Sequence, residues 1–378
     1  MARNRVIYQS EGVYVSKEAT STTSANHAQL SRVQSANYNF NIARQDVNQY
    51  GELARIDSIV LESPTVSLDF SYYLTDGDNE AALGFYVATG SQAQSQFPSG
   101  QLVDTSGRNF YIVTSREGID LNYETGDASN GLSGKSCIGI GNAYLTDYSI
   151  ELAVGSIPTA TVSFEGSNMN AFAFSGTNSG NSAAINQELG SALGYSIVLP
   201  QPNSYTGANI ITALRPGDIT VSFGDVFSGS GLVGKIGGEE GVHVQSMSLS
   251  LPLGRTPIER LGSKFAFARV VDFPVVSTLT LNGVVNEAAT GTNGVARDLV
   301  SLVNANPKRD ITITIKNPTG GNAVIYTIKN AQLDSASVSS SIGSNKTADF
   351  TFTTQIGGVN DKTNGIQMSG SFATAPFQ

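Results

Sequence analysis

The sequence predicts a mainly β protein, built from two tandem β-sandwich or barrel domains that each carry a short flanking α-helix. Three observations lead there: a composition poor in charge and rich in glycine, a two-residue alternation of apolar and polar positions, and a duplication of the chain within itself. Hydrophobic residues make up 40% of the 378 positions and charged residues only 14%, while 40 positions are glycine. Val, Ile, Leu and Phe are spread along the whole length, so a disordered chain is excluded. The polar share falls to Ser, Thr and Asn, which together with Gly favour short strands joined by tight turns. A chain of this length can fill two cores.

The alternation marks individual strands. Val66, Leu68 and Phe70 alternate with Ser67, Asp69 and Ser71, which puts one apolar face on a core. Leu249, Leu251 and Leu253 repeat the pattern, as do Ile311, Ile313 and Ile315. Asp76-Gly77-Asp78 reads as a turn, followed by an apolar stretch over 80–88. Val295, Leu299, Leu302 and Val303 lie at helical spacing, and Pro307 ends that segment, so each repeat is expected to carry one amphipathic helix.

The duplication shows in three blocks that keep their order. Gln34-Ser35 matches Gln245-Ser246 at an offset of 211, and the same offset lays Arg44 on Arg255 and Gly51 on Gly262. Pro64 to Ser67 then matches Pro274 to Ser277 after a slip of one residue. Arg108 and the strand pattern after it resemble Arg309 and its successors. Finally Asn142-Ala143-Tyr144-Leu145 matches Asn330-Ala331-Gln332-Leu333 at an offset of 188, which lays Gly155 on Gly343 and Phe164 on Phe352. The first domain is therefore placed at 1–204, with a loop-rich extension over 167–204, and the second at 205–378. Within 167–241, which finds no partner in the first half, 168–182 reads as a loop and 184–193 as weakly helical. Residues 218–223 read as a strand answering the stretch 5–15.

Charge and motifs exclude more than they assign. The formal net charge is −9 and the pI about 4.8. No Lys/Arg cluster exists to neutralise phosphates, so gripping nucleic acid is excluded, though letting it slide past is not. Cys137 is the single cysteine, so no disulfide forms within one chain. The first residues carry positive charge without an apolar stretch of signal-peptide length, and no run of apolar residues reaches membrane-span length, so synthesis in a cytoplasm is expected. His27 and His243 stand apart from any Cys or His at ligand spacing. Gly229-Ser230-Gly231-Leu232-Val233-Gly234-Lys235-Ile236 satisfies a dinucleotide pattern, but glycines rather than a helix follow it. Gly134-Lys135-Ser136 lacks the required first glycine, where Ser129 stands. Asp76 to Glu80 does not complete a calcium loop. A saccharide cleft floored by Trp is excluded, since the chain has none. No catalytic residue, metal or cofactor is assigned, and the chain is read as a structural protein and not an enzyme.

One segment of each repeat carries both charge signs between two strand patterns. In the first it holds Arg44, Asp46, Tyr50, Glu52 and Arg55; in the second Arg255, Glu259 and Arg260. A solvated hairpin tip and a loop that docks on another subunit both fit it.

The order of Gln-Ser strand, charged loop, strand with following helix, and closing strand pair resembles the tail tube proteins of long-tailed phages and related contractile injection devices. The resemblance covers about two-thirds of the chain and lies in each half separately. It implies tail-tube-like domains, six to a ring, with sheets joined into one inner β-barrel and rings stacked into a tube that conducts DNA without sequence-specific binding. It implies that Arg44, Asp46, Tyr50, Glu52, Arg55, Arg255, Glu259 and Arg260 make inter-ring or subunit contacts. The partners implied are copies of the chain itself and the sheath, baseplate and tail-terminator proteins, with assembly in the host cytoplasm and a final place in the virion tail. Two domains per chain make three chains per ring the expectation, with pseudo-sixfold symmetry, against six chains with the second domain outside. A capsid decoration or fibre protein, and a glycan-binding or hydrolytic tail component, are the alternative readings.

Overall fold

The computed structural model describes residues 10–18, 22–89, 95–104, 107–116, 121, 131–175, 178–202, 213–223, 242–285, 308–318 and 321–371. The expected second helix (295–303), the glycine motif (229–236) and the boundary near 205 lie outside them. In the first half the strands are β1 (Glu11–Ser16), β2 (His27–Gln29), β3 (Val33–Asn41), β4 (Arg44–Val47), β5 (Asp57–Val60), β6 (Thr65–Tyr73), β7 (Ala88–Thr89), β8 (Arg108–Thr114), β9 (Ser136–Ala153), β10 (Thr159–Gly166) and β11 (Asn168–Ala173). Four short ones follow: β12 (Ser179–Asn181), β13 (Ile185–Asn186), β14 (Ser191–Ala192) and β15 (Ser196–Val198). The second half holds β16 (Ile219–Phe223), β17 (Val242–Pro252), β18 (Arg255–Ile258), β19 (Ala268–Val271), β20 (Val276–Val285), β21 (Arg309–Lys316), β22 (Asn322–Ser339), β23 (Thr347–Gln355) and β24 (Gly365–Gly370). The helices described are short, α1 (Asp78–Leu83) and α2 (Ser99–Val103).

A central antiparallel sheet runs in the order β3-β6-β10-β9-β17-β20-β23-β22. It crosses from the first half to the second at β9–β17, where Leu249 faces Ile150 and Leu251 faces Tyr148. β9 and β22, each 18 residues long, outrun this sheet, and their leading halves enter two flanking sheets. One is β2-β1-β8-β9-β11 and the other β16-β21-β22-β24-β7, with only the β24–β7 pair parallel. Asn142 and Asn330 stand where the long strands pass from sheet to sheet, both at φ 51°. Asn tolerates this left-handed conformation better than branched residues do, and it lets a strand turn a corner between layers. The sheets are open rather than closed barrels, because among the described residues the central one ends on two unpaired edges, β3 and the trailing half of β22.

Apolar faces of the central and flanking sheets enclose the core, so the alternation read from sequence lands on the buried side. Leu68, Phe70 and Tyr72 of β6, Leu249 and Leu251 of β17 and Ile311, Ile313 and Ile315 of β21 are all buried. One contiguous cluster runs through both halves rather than forming two separate cores. A second, smaller cluster lies on the other face of β1 and β8, where Tyr14, Tyr111 and Val113 meet Cys137, Phe174, Ile197 and Leu199 of the region 131–199.

The strand pairing repeats along the chain. The order β1-β8-β9-β10-β6-β3 is matched by β16-β21-β22-β23-β20-β17, and β11 on β9 by β24 on β22. The irregularities repeat as well. A bulge at Gln34 in β3–β6 recurs at Gln245 in β17–β20, and one between Leu145 and Asp147 recurs between Leu333 and Ser335. Each bulged Gln turns its amide back on the carbonyl two residues earlier, Gln34 on Arg32 at 2.9 Å and Gln245 on His243 at 3.4 Å. Bulges interrupt pairing at fixed positions, so their recurrence is a sensitive marker of equivalence.

Three details of the sequence reading are corrected. Phe70 pairs with Val162 and Leu281 with Phe350, which holds the offset at 211 through β6 and β20. A slip of one residue there would lay Leu68 on Thr278 and send the apolar face outward. Residues 168–182 contain β11 and β12 rather than a loop alone, and β11 answers β24. Residues 184–193 form the small β13–β14 hairpin and not a helix, since Asn186 caps its own turn by accepting from the amides of Glu188 and Leu189 at 2.9 and 3.1 Å. β16 pairs β21 as β1 pairs β8, in the relation expected for 218–223.

Candidate assembly surfaces

Three surfaces stand out: the open edges of the central sheet, two hairpin arms, and the polar face of that sheet. The edge strands have paired counterparts inside the chain. At β9–β17, Ser246 faces Ala153 and Pro252 faces Asp147. The Leu253 amide donates to the Thr146 carbonyl at 2.8 Å, and the Val154 amide to the Gln245 carbonyl at 2.9 Å. By the repeat, β3 is equivalent to β17 and β22 to β9. Yet among the described residues β3 and the trailing half of β22 meet no such partner, and their side chains show it. Leu251 and Ile150 are buried at the internal junction, whereas their equivalents Phe40 and Val338 are 58% and 44% exposed.

The arms leave the sheet as hairpins, β4–β5 and β18–β19. Arg44 pairs with Val60 in one and Arg255 with Val271 in the other, and each tip turns through a glycine of positive φ, Gly51 at 91° and Gly262 at 88°. The two arms are held differently. In the first, Asp46 and Arg55 form an exposed ion pair at 2.9 Å, and Arg44, Tyr50 and Glu52 lie open to solvent. In the second, Arg255 is drawn into the molecule. Its Nε donates to the Leu145 carbonyl at 3.1 Å, Nη2 to Gln101 at 2.7 Å and Nη1 to Arg269 at 3.2 Å, and the guanidinium lies 5.1 Å from the centre of the Tyr144 ring. Burial pulls its pKa down, opposed by the charge of Asp104. Glu259 accepts from the Ser63 hydroxyl at 2.6 Å, and Arg260 donates to the Glu188 carbonyl at 2.7 Å. Arg269, itself buried, pairs with Glu165. So the second arm packs onto the first half of its own chain, and the first arm projects free.

Both charge signs and the aromatic Tyr50 mark these arms in the sequence, and their aliphatic residues do not enter that reading. Leu53, Ile56, Ile59, Val60 and Leu61 are all exposed on the first arm, and Leu261 at the tip of the second. The signal was present as Leu and Ile in segments with no buried face to serve, a pattern that marks interaction surface.

The third surface is the outer face of the central sheet. Ser, Thr and Asn dominate it, with Asp69, Asp147, Glu151 and Asp349 among them, and β3, β6, β9, β10, β17, β20 and β23 contain no Lys or Arg. Burial raises the pKa of Asp147.

Elsewhere the titratable groups have structural occupations. His27 is buried with Nδ1 2.8 Å from the Thr23 carbonyl and its ring against Tyr111, and burial lowers its pKa. Asp76 accepts from the Asp78 amide at 3.3 Å across the Gly77 turn that opens α1. The Lys135 ammonium donates to the Gly131 carbonyl at 3.0 Å. Among the described residues no group of three or more His, Cys, Asp or Glu could hold a metal ion, and no helix is long and apolar enough to cross a membrane.

No family model matches the sequence, and no curated protein matches it. Among solved structures, the chain is similar to a protein of the anti-feeding prophage baseplate, determined by cryo-EM with six-fold symmetrisation. The identity is 11% and the TM-score 0.24, over 40% of this chain and 91% of that one.

Proposed function

We propose that the chain is a structural subunit of a phage-type tail tube, with two tandem tube-type units, three chains closing a pseudo-sixfold ring and rings stacking into a conduit for DNA. The observation that carries this reading is the internal β9–β17 junction, whose two sides recur, uncovered, at the opposite edges of the same sheet. Joining β3 of one chain to β22 of the next removes both edges, which an isolated chain would leave open to uncontrolled pairing. Transferring the internal register places Asn37 opposite Ser339 and Asn39 opposite Ser337, and buries Phe40 and Val338. A heterologous contact of this kind closes into a ring if its rotation matches that of the internal one. The polar sheet face then lines the lumen. Its acidic side chains repel phosphates, and without Lys or Arg in most of the lining strands there is nothing to grip a passing duplex. Mechanistically the chain performs no chemistry: it supplies a smooth wall and two kinds of contact, lateral and axial.

Negative-stain electron microscopy of the purified protein at high concentration tests this. Stacked rings with a central hole are the expected result. Monomers at every concentration, or monomers that bind or cleave glycans, would overturn it, and isolated knobs or fibres without a lumen would favour a decoration or fibre protein.

A further inference from the structure

Arg44 and Arg255 stand at the same position of the duplicated arm, each at the first residue of its hairpin and each paired to a Val. Inside the chain, Arg255 reaches across the β9–β17 junction and donates to the Leu145 carbonyl at 3.1 Å, at the bulge of β9. That bulge has an equivalent at Leu333 in β22, on the edge that no strand among the described residues covers. The Arg44 side chain is exposed and makes no hydrogen bond or ion pair among the described residues. The seat and the side chain that fits it are therefore present on one molecule, at opposite ends of the same sheet.

We propose that Arg44 is a lateral latch: within a ring, its guanidinium donates to the Leu333 carbonyl of the neighbouring copy, as Arg255 donates to Leu145 within the chain. The occupant of the β22 edge is thus a second copy of this chain, and this rests on the ring reading above. The Ile42 amide falls on the Asp334 carbonyl by the same transfer, since Leu253 donates to Thr146. Gln332 replaces Tyr144 in the second seat, so Arg44 loses the aromatic ring that Arg255 lies against and keeps the carbonyl. The consequence is a division of labour along the first arm. Its base belongs to the contact between neighbours in one ring, and only its tip, with Tyr50 and Leu53, extends towards another ring.

The division makes the two roles separable. Sedimentation velocity on the full chain gives the concentration at which rings dissociate, and electron microscopy gives tube length. Arg44→Ala should raise the ring dissociation concentration about tenfold or more, since a hydrogen bond from a charged group is lost at each junction. Arg44→Lys should recover only part of this, because an ammonium lacks the planar fork of donors. Arg44 is exposed, so the thermal midpoint of the isolated chain should stay at the wild-type value. Arg255→Ala, the internal control, should lower it. Rings that dissociate at the wild-type concentration while tubes fail to form would make Arg44 an axial contact and overturn the latch with the ring reading intact. A wild-type chain that never forms rings would overturn both.

Discussion

Glu80 is a carboxyl group buried in the core, in an environment far from its ordinary one. It lies in the core at the start of α1, accepting from the Tyr72 hydroxyl at 2.9 Å and from Tyr148 at 3.3 Å, and Tyr148 meets Tyr326 of the second half at 2.9 Å. Burial pushes its pKa from 4.5 up to about 7 despite those donors, and burial with the nearby charge of Asp76 raises Asp78 to about 6. The folded state therefore holds a proton that the unfolded chain releases near pH 4.5. Glu80's contribution is fully present below that pH and is lost as pH rises to about 7, a difference of about 3 kcal/mol. Urea unfolding of the isolated chain at a series of pH values should show stability falling across this window. Glu80→Gln should flatten most of the slope, with Asp78→Asn removing a smaller part. A slope unchanged in Glu80→Gln would mean that the carboxyl is already ionised in the folded state. Nothing in the sequence marked Glu80 as buried, because its partners come from strands that only the fold brings together.

Strands and their order were far more legible than such networks. Alternation located β6, β17 and β21 because each has one face on the core, and period-two patterning survives without knowledge of neighbours. The repeat was legible at its ends, where offsets stay constant, and not at β11 and β24, whose relation is carried by pairing to β9 and β22 and not by shared residues. The 184–193 segment misled because its apolar spacing mimics a helix while Asn186 closes a turn instead. The arms were found by charge, but the structure distinguishes one that is docked from one that is free, which depends on contacts with the first half. For the free arm the prediction is specific. Replacing Tyr50 and Leu53 together by Ser should leave the unfolding midpoint unchanged to within about 0.5 kcal/mol, as for exposed sites. The same change should shorten the tubes seen by electron microscopy, and full-length tubes would remove the arm tip from the axial contact.

At the scale of the whole molecule, duplication gives the chain two versions of one surface, one satisfied and one open. In the proposed ring, closing the open one on another copy would also turn the acidic, polar sheet face inward. Introducing positive charge there, as Asp69→Lys with Glu151→Lys, should leave rings able to form and give them a salt-dependent affinity for duplex DNA that the wild type lacks; filter binding at several ionic strengths reads this out. Affinity that is undiminished in long assembled tubes, whose lumen a free duplex enters only at the ends, would place that face on the outer wall. The claim on which the rest depends is that the junction between chains repeats the junction inside the chain. It is tested most directly by placing one cysteine at Asn37 and one at Ser339 and oxidising the protein at ring-forming concentration. Cys137 is buried, and burial raises its pKa, so it should stay out of the reaction. Covalent species that end at three chains joined between residues 37 and 339 are expected, with either single cysteine giving none; a chain that assembles without forming this bond would rule out the shared junction.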